Sequence, residues 1–350
     1  MAARYAADAL RSTAAALLRA AGMDAAFARD VATVLVEGDL LGHDTHGLAL
    51  LAPYLAELEA GSMRASGSYR VLEERAATAL WDGERLPGPW LVLRAVDDAI
   101  ERAQRCGTGT VVIRRSHHIA CLAAYLARAT ERGFVLLVTC SDPNSASVAP
   151  HGGLTPVFTP DPLAFGVPTS GDPVLIDLSA SLTTNGMTAR LHKHGRKLAH
   201  PWLLDAEGRA TDDPAALFVE PRGTILPTGG VDAGHKGYAL ALIVEMLTGG
   251  LAGFGRADVK EGWGATVLVQ AYDPAAFGGP AAFLRQADWL AAACRTNPPR
   301  PGAGAVRLPG QRGLALKREQ LQYGIVLHED ILPLLAPWAG KFEVALPAAI

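Results

Sequence analysis

The sequence predicts an α/β protein in which a central series of strands and helices lies between two helical ends. Residues 4–22 and 25–41 carry apolar side chains at helical spacing, so the chain opens with two helices. Over residues 69–296, short strands alternate with helical segments, as in a layered α/β domain. Helical patterns return near Arg318 and Leu332. The length of 350 residues allows two structural units.

The individual elements follow from periodicity and from the residues that end them. Helices are predicted over 4–22, 25–41, 48–59, 89–106, 119–132, 234–248 and 283–294. Strands are predicted over 70–72, 78–81, 110–113, 134–139, 174–178 and 266–270. Gly61, Gly107 and Gly133 follow predicted helices, where glycine is a common terminator. The Pro- and Gly-rich passage 143–173 is too long for an ordinary connector and is predicted to line a site.

The arrangement of these elements predicts two domains. The helical ends, residues 1–68 and 297–350, are expected to pack together as a smaller helical domain. The remaining residues, 69–296, are expected to form a larger domain that carries the functional loops.

Composition and charge exclude several classes of protein. The formal net charge is −3 and the 32 Lys and Arg residues are scattered, which argues against a nucleic-acid partner. No stretch of about 18 residues has the charge-free apolar density of a membrane span, so no membrane partner is expected. The four cysteines form no CxxC pair; they are Cys106, Cys121, Cys140 and Cys294. This pattern favours a reducing, cytoplasmic compartment and predicts neither a disulfide framework nor a metal site.

Two histidine-containing segments are candidates for catalysis. Residues 42–47 read Gly-His-Asp-Thr-His-Gly and lie between two predicted helices. A hydroxyl beside an imidazole can orient the ring, so Thr45 and His46 are candidates for proton transfer, with His46 as general acid. An alternative is that Asp44 or Thr45 only caps the next helix. The tripeptide 116–118, Ser-His-His, follows a predicted strand, where α/β enzymes place catalytic side chains.

Two later segments are candidates for orienting a side chain and for binding phosphate. Asp177 ends a predicted strand, where a carboxylate can hold an imidazolium in place; alternatively it is a turn or cap residue. Residues 234–238, Gly-His-Lys-Gly-Tyr, open a helix and offer backbone donors with the cation of Lys236, although ordinary helices also begin with glycine. The glycine-rich segment 250–255 follows a helix and lacks the GxGxxG order, so a Rossmann fold is not predicted.

These segments occur in the order found in a known family. The motifs are Thr45-His46-Gly47, Ser116-His117-His118, and residues 148–153, 159–162, 177–181, 234–238 and 308–311. Together they resemble the malate/L-lactate dehydrogenase-like family, which includes type-2 malate and lactate, ureidoglycolate, sulfolactate, diketogulonate and piperideine-2-carboxylate oxidoreductases. The resemblance covers nearly the whole chain.

The resemblance implies both a fold and a chemistry. The implied fold is a non-Rossmann, largely antiparallel nicotinamide-binding sheet flanked by helices, with the chain ends completing the smaller domain and a homodimer closing the site. The implied reaction interconverts a small 2-oxo acid and a 2-hydroxy acid with NAD or NADP. His46 would supply the proton, Thr45 and Asp177 would orient His46, and His118 would line the substrate pocket or act as acid/base. Dinucleotide contacts are implied for Asp142, Asp177, Leu178, Lys236, Gly237, Pro309, Gly310 and Gln311.

Three departures from the family pattern bear on the substrate. Leu50 stands where many relatives carry an Arg that can clamp a carboxylate. Residues 184–187 read Thr-Asn-Gly-Met where relatives often have Ala-Arg-Gly-Lys, and Asp161 replaces the common Asn. We therefore expect a substrate with one carboxylate and an apolar remainder. The candidate substitutes for the missing clamp are Arg190, His192 and His235.

Three alternative functions stay open at the level of sequence. A cyclic ketimine reductase, acting on a cyclic imino acid, is the nearest variant. A metal-dependent hydrolase would use four loop imidazoles, those of His46, His117, His118 and His151. It is disfavoured because no carboxylate or thiolate lies at a recognised ligand spacing. A homologue that binds a metabolite without turnover is suggested by Leu50 and Met187. The exact substrate, the choice between NAD and NADP, and the physiological direction are not encoded in these motifs.

Overall fold

Helices occupy both ends of the chain and flank its centre. The computed structural model describes residues 3–350, so the first two residues of the predicted 1–68 domain lie outside the described part. The helices are α1 (Ala7–Ala20), α2 (Ala25–Leu40), α3 (Leu51–Glu59), α4 (Gly88–Cys106), α5 (Ala127–Thr130), α6 (Asn185–Lys193), α7 (Gly230–Ala233), α8 (His235–Glu245), α9 (Pro280–Arg295), α10 (Gln311–Tyr323) and α11 (Ile331–Phe342). Within residues 3–350, no helix combines the length and the apolar character needed to cross a bilayer.

Within residues 3–350, ten strands form one large and one small sheet. The strands are β1 (Arg70–Glu74), β2 (Thr78–Asp82), β3 (Thr108–Ser116), β4 (Val135–Ser141), β5 (Pro162–Val167), β6 (Val174–Ser179), β7 (Leu203–Leu204), β8 (Ala210–Thr211), β9 (Thr224–Ile225) and β10 (Ala265–Tyr272). The large sheet has seven strands in the order β1-β2-β3-β10-β4-β5-β6. Only β2 and β3 pair in parallel; the other neighbours are antiparallel. The predicted α/β class, with a sheet flanked by helices, is confirmed.

The centre of the large sheet is apolar and buried where α4 packs against it. Strand β10 lies between β3 and β4, and Val111, Ile113, Val267 and Val269 on these central strands have no exposed surface. Helix α4 covers this region and ends at Gly107, whose φ of 84° is readily adopted by glycine. Fully burying one such aliphatic side chain contributes about 1.5–3 kcal/mol, so this central packing is a major source of stability.

One hydrophobic core joins the terminal helices to the sheet. Leu35 on α2, Leu55 on α3, Val96 on α4 and Ile113 on β3 belong to the same buried cluster. Helix α10 packs on α2, and α11 packs on α3 and α1, so the two ends of the chain meet. Because the terminal helices and the sheet share this core, the division into 1–68 with 297–350 and 69–296 stays a prediction.

The segment that precedes α8 contains structure that periodicity did not reveal. The small sheet, in the order β8-β7-β9, encloses a second apolar cluster that includes Phe158, Leu203 and Ile225. Its two-residue strands are too short to show a period, and α6 was also not predicted. The predicted helix 119–132 is interrupted: a 3-10 turn at Leu122–Tyr125 precedes the short α5. The passage 143–173 is not wholly irregular, since it contains β5.

Candidate active site

His46 lies in the loop between α2 and α3, and contacts made by its neighbours in the chain fix its position. The hydroxyl oxygen of Thr45 lies 2.9 Å from Nδ1 of His46. Below the loop, the buried Asp39 of α2 accepts a 2.8 Å hydrogen bond from the backbone N–H of Leu48. A Cβ on Gly47 would lie only 2.4 Å from the Asp39 carboxylate, so this approach requires glycine. The sequence therefore holds His46 in place through the residues on either side of it.

The environment of His46 favours a neutral ring. Burial, together with the nearby His43 and Arg190, lowers the pKa of His46 to about 4, although Asp44 opposes this shift. Arg190 is held by Asp44, with 2.8 Å between the guanidinium and the carboxylate. At neutral pH the ring is uncharged, and because Nδ1 faces Thr45, Nε2 is the nitrogen available for proton transfer.

A second imidazole, that of His118, faces His46 across the site. The two ring centroids are 6.0 Å apart, and the ring of His118 stacks on Trp263 at 4.6 Å. Nδ1 of His118 lies 2.8 Å from the hydroxyl of Tyr54 and accepts a 3.3 Å hydrogen bond from the backbone N–H of Ala120. Burial holds the pKa of His118 well below its usual range. A neutral ring with Nδ1 as acceptor carries its proton on Nε2, so His118 is a hydrogen-bond donor.

The neighbouring His117 makes different contacts. Its Nε2 lies 3.2 Å from a carboxylate oxygen of Glu57, and its ring is fully buried. His151 pairs with His235, their ring centroids being 5.9 Å apart. The structure therefore does not bring the four histidines considered for a metal-dependent hydrolase into one cluster.

Asp177 lies within β6, two residues before its end, and is beside His43 rather than in a hydrogen bond with His46. Its Oδ2 accepts a 2.9 Å hydrogen bond from the backbone N–H of Ala123 and lies 3.9 Å from Sγ of Cys121. Burial raises the pKa of Asp177, and the adjacent His43 opposes this rise. Asp177 is therefore close to His43, three positions before His46 in the chain.

An open cavity of about 1040 Å³ lies between β6 and the N-terminus of α10. Four of the residues assigned to the dinucleotide line it: Asp177, Leu178, Pro309 and Gly310. Arg307 and Arg312 line the same cavity, and no side chain caps the N-terminus of α10. Uncapped backbone N–H groups beside two cations form a favourable environment for phosphate. This lining includes His43 but not His46.

The other four dinucleotide candidates lie outside the cavity lining. Asp142 follows β4 and accepts a 3.0 Å hydrogen bond from the N–H of Asn144. Gln311 accepts a hydrogen bond from the N–H of Leu308. Lys236 and Gly237 begin α8, where Lys236 is exposed and the backbone N–H of Gly237 donates to Thr228.

The departures from the family pattern have distinct surroundings. Leu50 packs against the main core. Asp161 is fully buried with φ at 44°, accepts a 2.6 Å hydrogen bond from Thr159, and has its pKa raised to about 8 by burial and by Glu245. Among the candidate clamps, Arg190 is bound to Asp44, whereas His192 stacks on Phe218.

Sequence reasoning missed several residues that build this site. Tyr54 and Trp263 enclose His118, Asp39 supports the His46 loop, and Arg312 faces the cavity. Tyr54 occupies an apolar helix face, which is typical of a core residue. No motif marked Trp263 or Arg312, so only the fold identifies them.

The chain matches a known family over most of its length. The sequence profile of the malate/L-lactate dehydrogenase family matches residues 5–336. The L-lactate dehydrogenase of Cupriavidus necator is 31% identical over 349 residues, which cover 97% of this chain and 98% of that protein. The (2R)-3-sulfolactate dehydrogenase (NADP(+)) of Chromohalobacter salexigens is 34% identical over 316 residues, covering 88% and 90%.

The fold is also similar to that of a reductase of known structure. The crystal structure of the Δ1-piperideine-2-carboxylate reductase from Pseudomonas syringae has a TM-score of 0.82 and 26% identity, covering 96% of this chain and 99% of that chain. The resemblance seen in the seven motifs is therefore confirmed. The chain belongs to the malate/L-lactate dehydrogenase family.

Proposed function

We propose that this protein is an NAD(P)-dependent oxidoreductase that interconverts a small 2-oxo acid and its 2-hydroxy acid. The observation that carries the proposal is the pair of facing imidazoles, His46 and His118, in which His46 is oriented by Thr45. Family membership supports the reaction class, and the relatives that are an L-lactate dehydrogenase and a sulfolactate dehydrogenase agree with it.

The cavity beside β6 fits a dinucleotide. Its volume of about 1040 Å³ lies at the upper end of the roughly 300–1,000 Å³ typical of cofactor sites. We assign Asp177, Leu178, Pro309 and Gly310 to its wall, with Arg312 added as a phosphate partner. Asp142, Lys236, Gly237 and Gln311 are proposed to complete the binding residues. When bound, the nicotinamide supplies or receives the hydride. Because the glycine fingerprint is absent, the proposed binding mode is non-Rossmann.

His46 is proposed to move the proton. When Nδ1–H donates to the Thr45 hydroxyl, Nε2 has a free lone pair that accepts the proton of the 2-hydroxy acid. In the reverse direction, the imidazolium returns this proton from Nε2 to the carbonyl oxygen. His118, with its proton on Nε2, donates a hydrogen bond that fixes the substrate between the two rings. Since His46 is neutral at pH 7, it is already prepared for oxidation, whereas reduction requires its protonation first.

The substrate is proposed to carry one carboxylate and an apolar remainder. Leu50 supplies no cation where relatives have Arg, and Arg190 is engaged by Asp44. Trp263, stacked on His118, adds an aromatic surface. The same surroundings suit a cyclic imino acid, and the structural similarity to a piperideine-2-carboxylate reductase favours this as the second candidate.

The assembly is proposed to be a homodimer in the cytoplasm. Leu242, Ile243 and Met246, on α8 and the turn after it, are 40%, 52% and 61% exposed. Contiguous apolar surface of this kind marks interaction sites more often than solvent-facing surface. The four free cysteines agree with a reducing compartment.

A substrate screen tests the proposed function. Purified protein is mixed with NADH or NADPH and with a panel of 2-oxo acids and cyclic imino acids, and loss of nicotinamide absorbance is recorded. We expect turnover with at least one monocarboxylic member. Binding of the cofactor, seen by nicotinamide fluorescence, without turnover on any member would instead support the metabolite-binding alternative.

A further inference from the structure

Three potential metal ligands meet in the wall of the cavity. His43, Cys121 and Asp177 each place one ligand atom within 4.8 Å of the other two. They come from three separate segments: the loop after α2, the chain after β3, and strand β6. Neither their spacing in the sequence nor any local motif reveals this convergence, which is why the sequence predicted no metal site.

The separation of the sulfur and oxygen ligands is close to that in a tetrahedral zinc site. Zinc bonds of about 2.3 Å to sulfur and 2.0 Å to oxygen imply about 3.5 Å between a thiolate and a carboxylate ligand in tetrahedral geometry. Sγ of Cys121 lies 3.9 Å from Oδ2 of Asp177. For this pair of ligands a closing movement of a few tenths of an ångström suffices, and the His43 nitrogen lies within 4.8 Å of both atoms. The N–H of Ala123 donates to the same oxygen at 2.9 Å and fixes the direction of the carboxylate.

The cluster of three ligands is buried on the side of Cys121 and open on the side that faces the cavity. Cys121 is only 2% exposed, whereas His43 and Asp177 line the open cavity. An ion held by all three would keep a fourth position directed into the cavity, where water completes the tetrahedron. Imidazole, thiolate and carboxylate together select zinc and similar borderline-soft divalent ions over magnesium or calcium.

We propose that His43, Cys121 and Asp177 form an inhibitory binding site for a divalent cation of the zinc type, and that the ion and the dinucleotide exclude each other from the cavity. Coordination would deprotonate the Cys121 thiol and release one proton to solvent. Without the ion, burial raises the pKa of Cys121, so the thiol stays protonated and unreactive. The metal site goes beyond the proposed function, and only the mutual exclusion rests on it.

Cobalt titration tests the metal site directly, because Co²⁺ replaces Zn²⁺ and is coloured. Reduced, metal-free protein should develop a thiolate-to-cobalt absorption band and tetrahedral ligand-field bands with one equivalent of Co²⁺, and Zn²⁺ should bleach both. Cys121→Ser should lose the thiolate band, whereas Cys106→Ser, at an exposed thiol elsewhere, should retain it. His43→Asn should weaken Co²⁺ binding by at least about tenfold, since even residues that only support a ligand contribute about this much.

The outcomes separate the two parts of the proposal. A wild-type protein without the band, or a Cys121→Ser variant that keeps it while showing a native circular dichroism spectrum, would overturn the site. If NADH or NADPH binds and the cobalt bands persist at saturation, mutual exclusion is wrong. A protein that gives the bands but binds neither dinucleotide refutes the proposed function and leaves the metal site established.

Discussion

The hydroxyl oxygen of Thr45 lies 2.9 Å from Nδ1 of His46, so the side chain that orients the proposed acid/base is its immediate neighbour in the chain. Removing this contact tests its role. Thr45→Ala should lower kcat by about 2- to 10-fold, the equivalent of one hydrogen bond worth about 0.5–1.5 kcal/mol, without changing the Kd of the cofactor. Thr45→Ser keeps the hydroxyl and should restore most of the rate. Equal kinetics for the Ala and Ser variants would contradict the orienting role.

The carboxyl group of Asp39 should make stability depend on pH. Burial raises its pKa from 3.8 to about 8. The folded protein therefore keeps this proton up to about pH 8, whereas the unfolded chain loses it near pH 4. The stabilisation is complete below the unfolded pKa and is lost as pH rises through the folded pKa.

Asp39→Asn isolates this contribution, because the amide oxygen can still accept the hydrogen bond from Leu48. The unfolding free energy of the variant minus that of the wild type should rise by about 1.4 kcal/mol per pH unit between pH 4 and 8. Subtraction removes the opposite trend of His46 and His117, whose lowered pKa values disfavour folding as pH falls from 6.5 to 4. Urea unfolding at several pH values measures the slope, and a difference independent of pH would show that Asp39 is already ionised in the folded state.

The substrate preference should follow from Leu50. An unpaired second carboxylate near this side chain costs several kcal/mol when it is desolvated, unless a cation replaces the clamp. Wild type should therefore have a lower kcat/KM for oxaloacetate than for a monocarboxylic 2-oxo acid, and Leu50→Arg should shift the ratio toward oxaloacetate. A wild-type preference for oxaloacetate, or no shift in the variant, would refute this explanation.

Lys236 and Arg312 are both candidates for binding the phosphates of the dinucleotide. Lys236 was identified from the glycine-rich start of α8, whereas Arg312 lines the cavity beside the uncapped N-terminus of α10. Lys236→Ala and Arg312→Ala should each raise the KM for NAD(P)H more than they lower kcat, because a phosphate contact is equal in the ground and transition states. The cavity predicts the larger effect for Arg312→Ala. A loss confined to kcat in both variants would exclude phosphate binding at either position.

The success of sequence reasoning depended on how local the signal was. Thr45 and His46 are adjacent, so their contact could be predicted from the motif alone. Asp177 was correctly placed on a strand, although β6 continues to Ser179, and its contact with His43 depends on how β6 meets the loop after α2. Tyr54 and Trp263 could not be predicted, because an aromatic residue on an apolar helix face or in a loop has the same pattern whether it packs in the core or against a catalytic ring.

The prediction of helices and strands also depended on how close in the sequence the interacting residues are. Helices α2 and α4 have long apolar periods, and both were predicted nearly to their ends. The two-residue strands β8 and β9 each pair with β7, beside the buried Leu203 and Ile225. Such pairing joins distant residues and leaves no periodic trace in the sequence.

His46 is proposed to transfer the proton in a dinucleotide-dependent reaction on an oxo acid or imine. The most direct measurement compares kcat and cofactor Kd for wild type, His46→Ala, and His200→Ala as an exposed histidine control. His46→Ala should lose about 10²- to 10⁴-fold in kcat, while its Kd for NADH or NADPH and its circular dichroism spectrum stay close to wild type. An unchanged kcat in a folded His46→Ala variant would contradict the account.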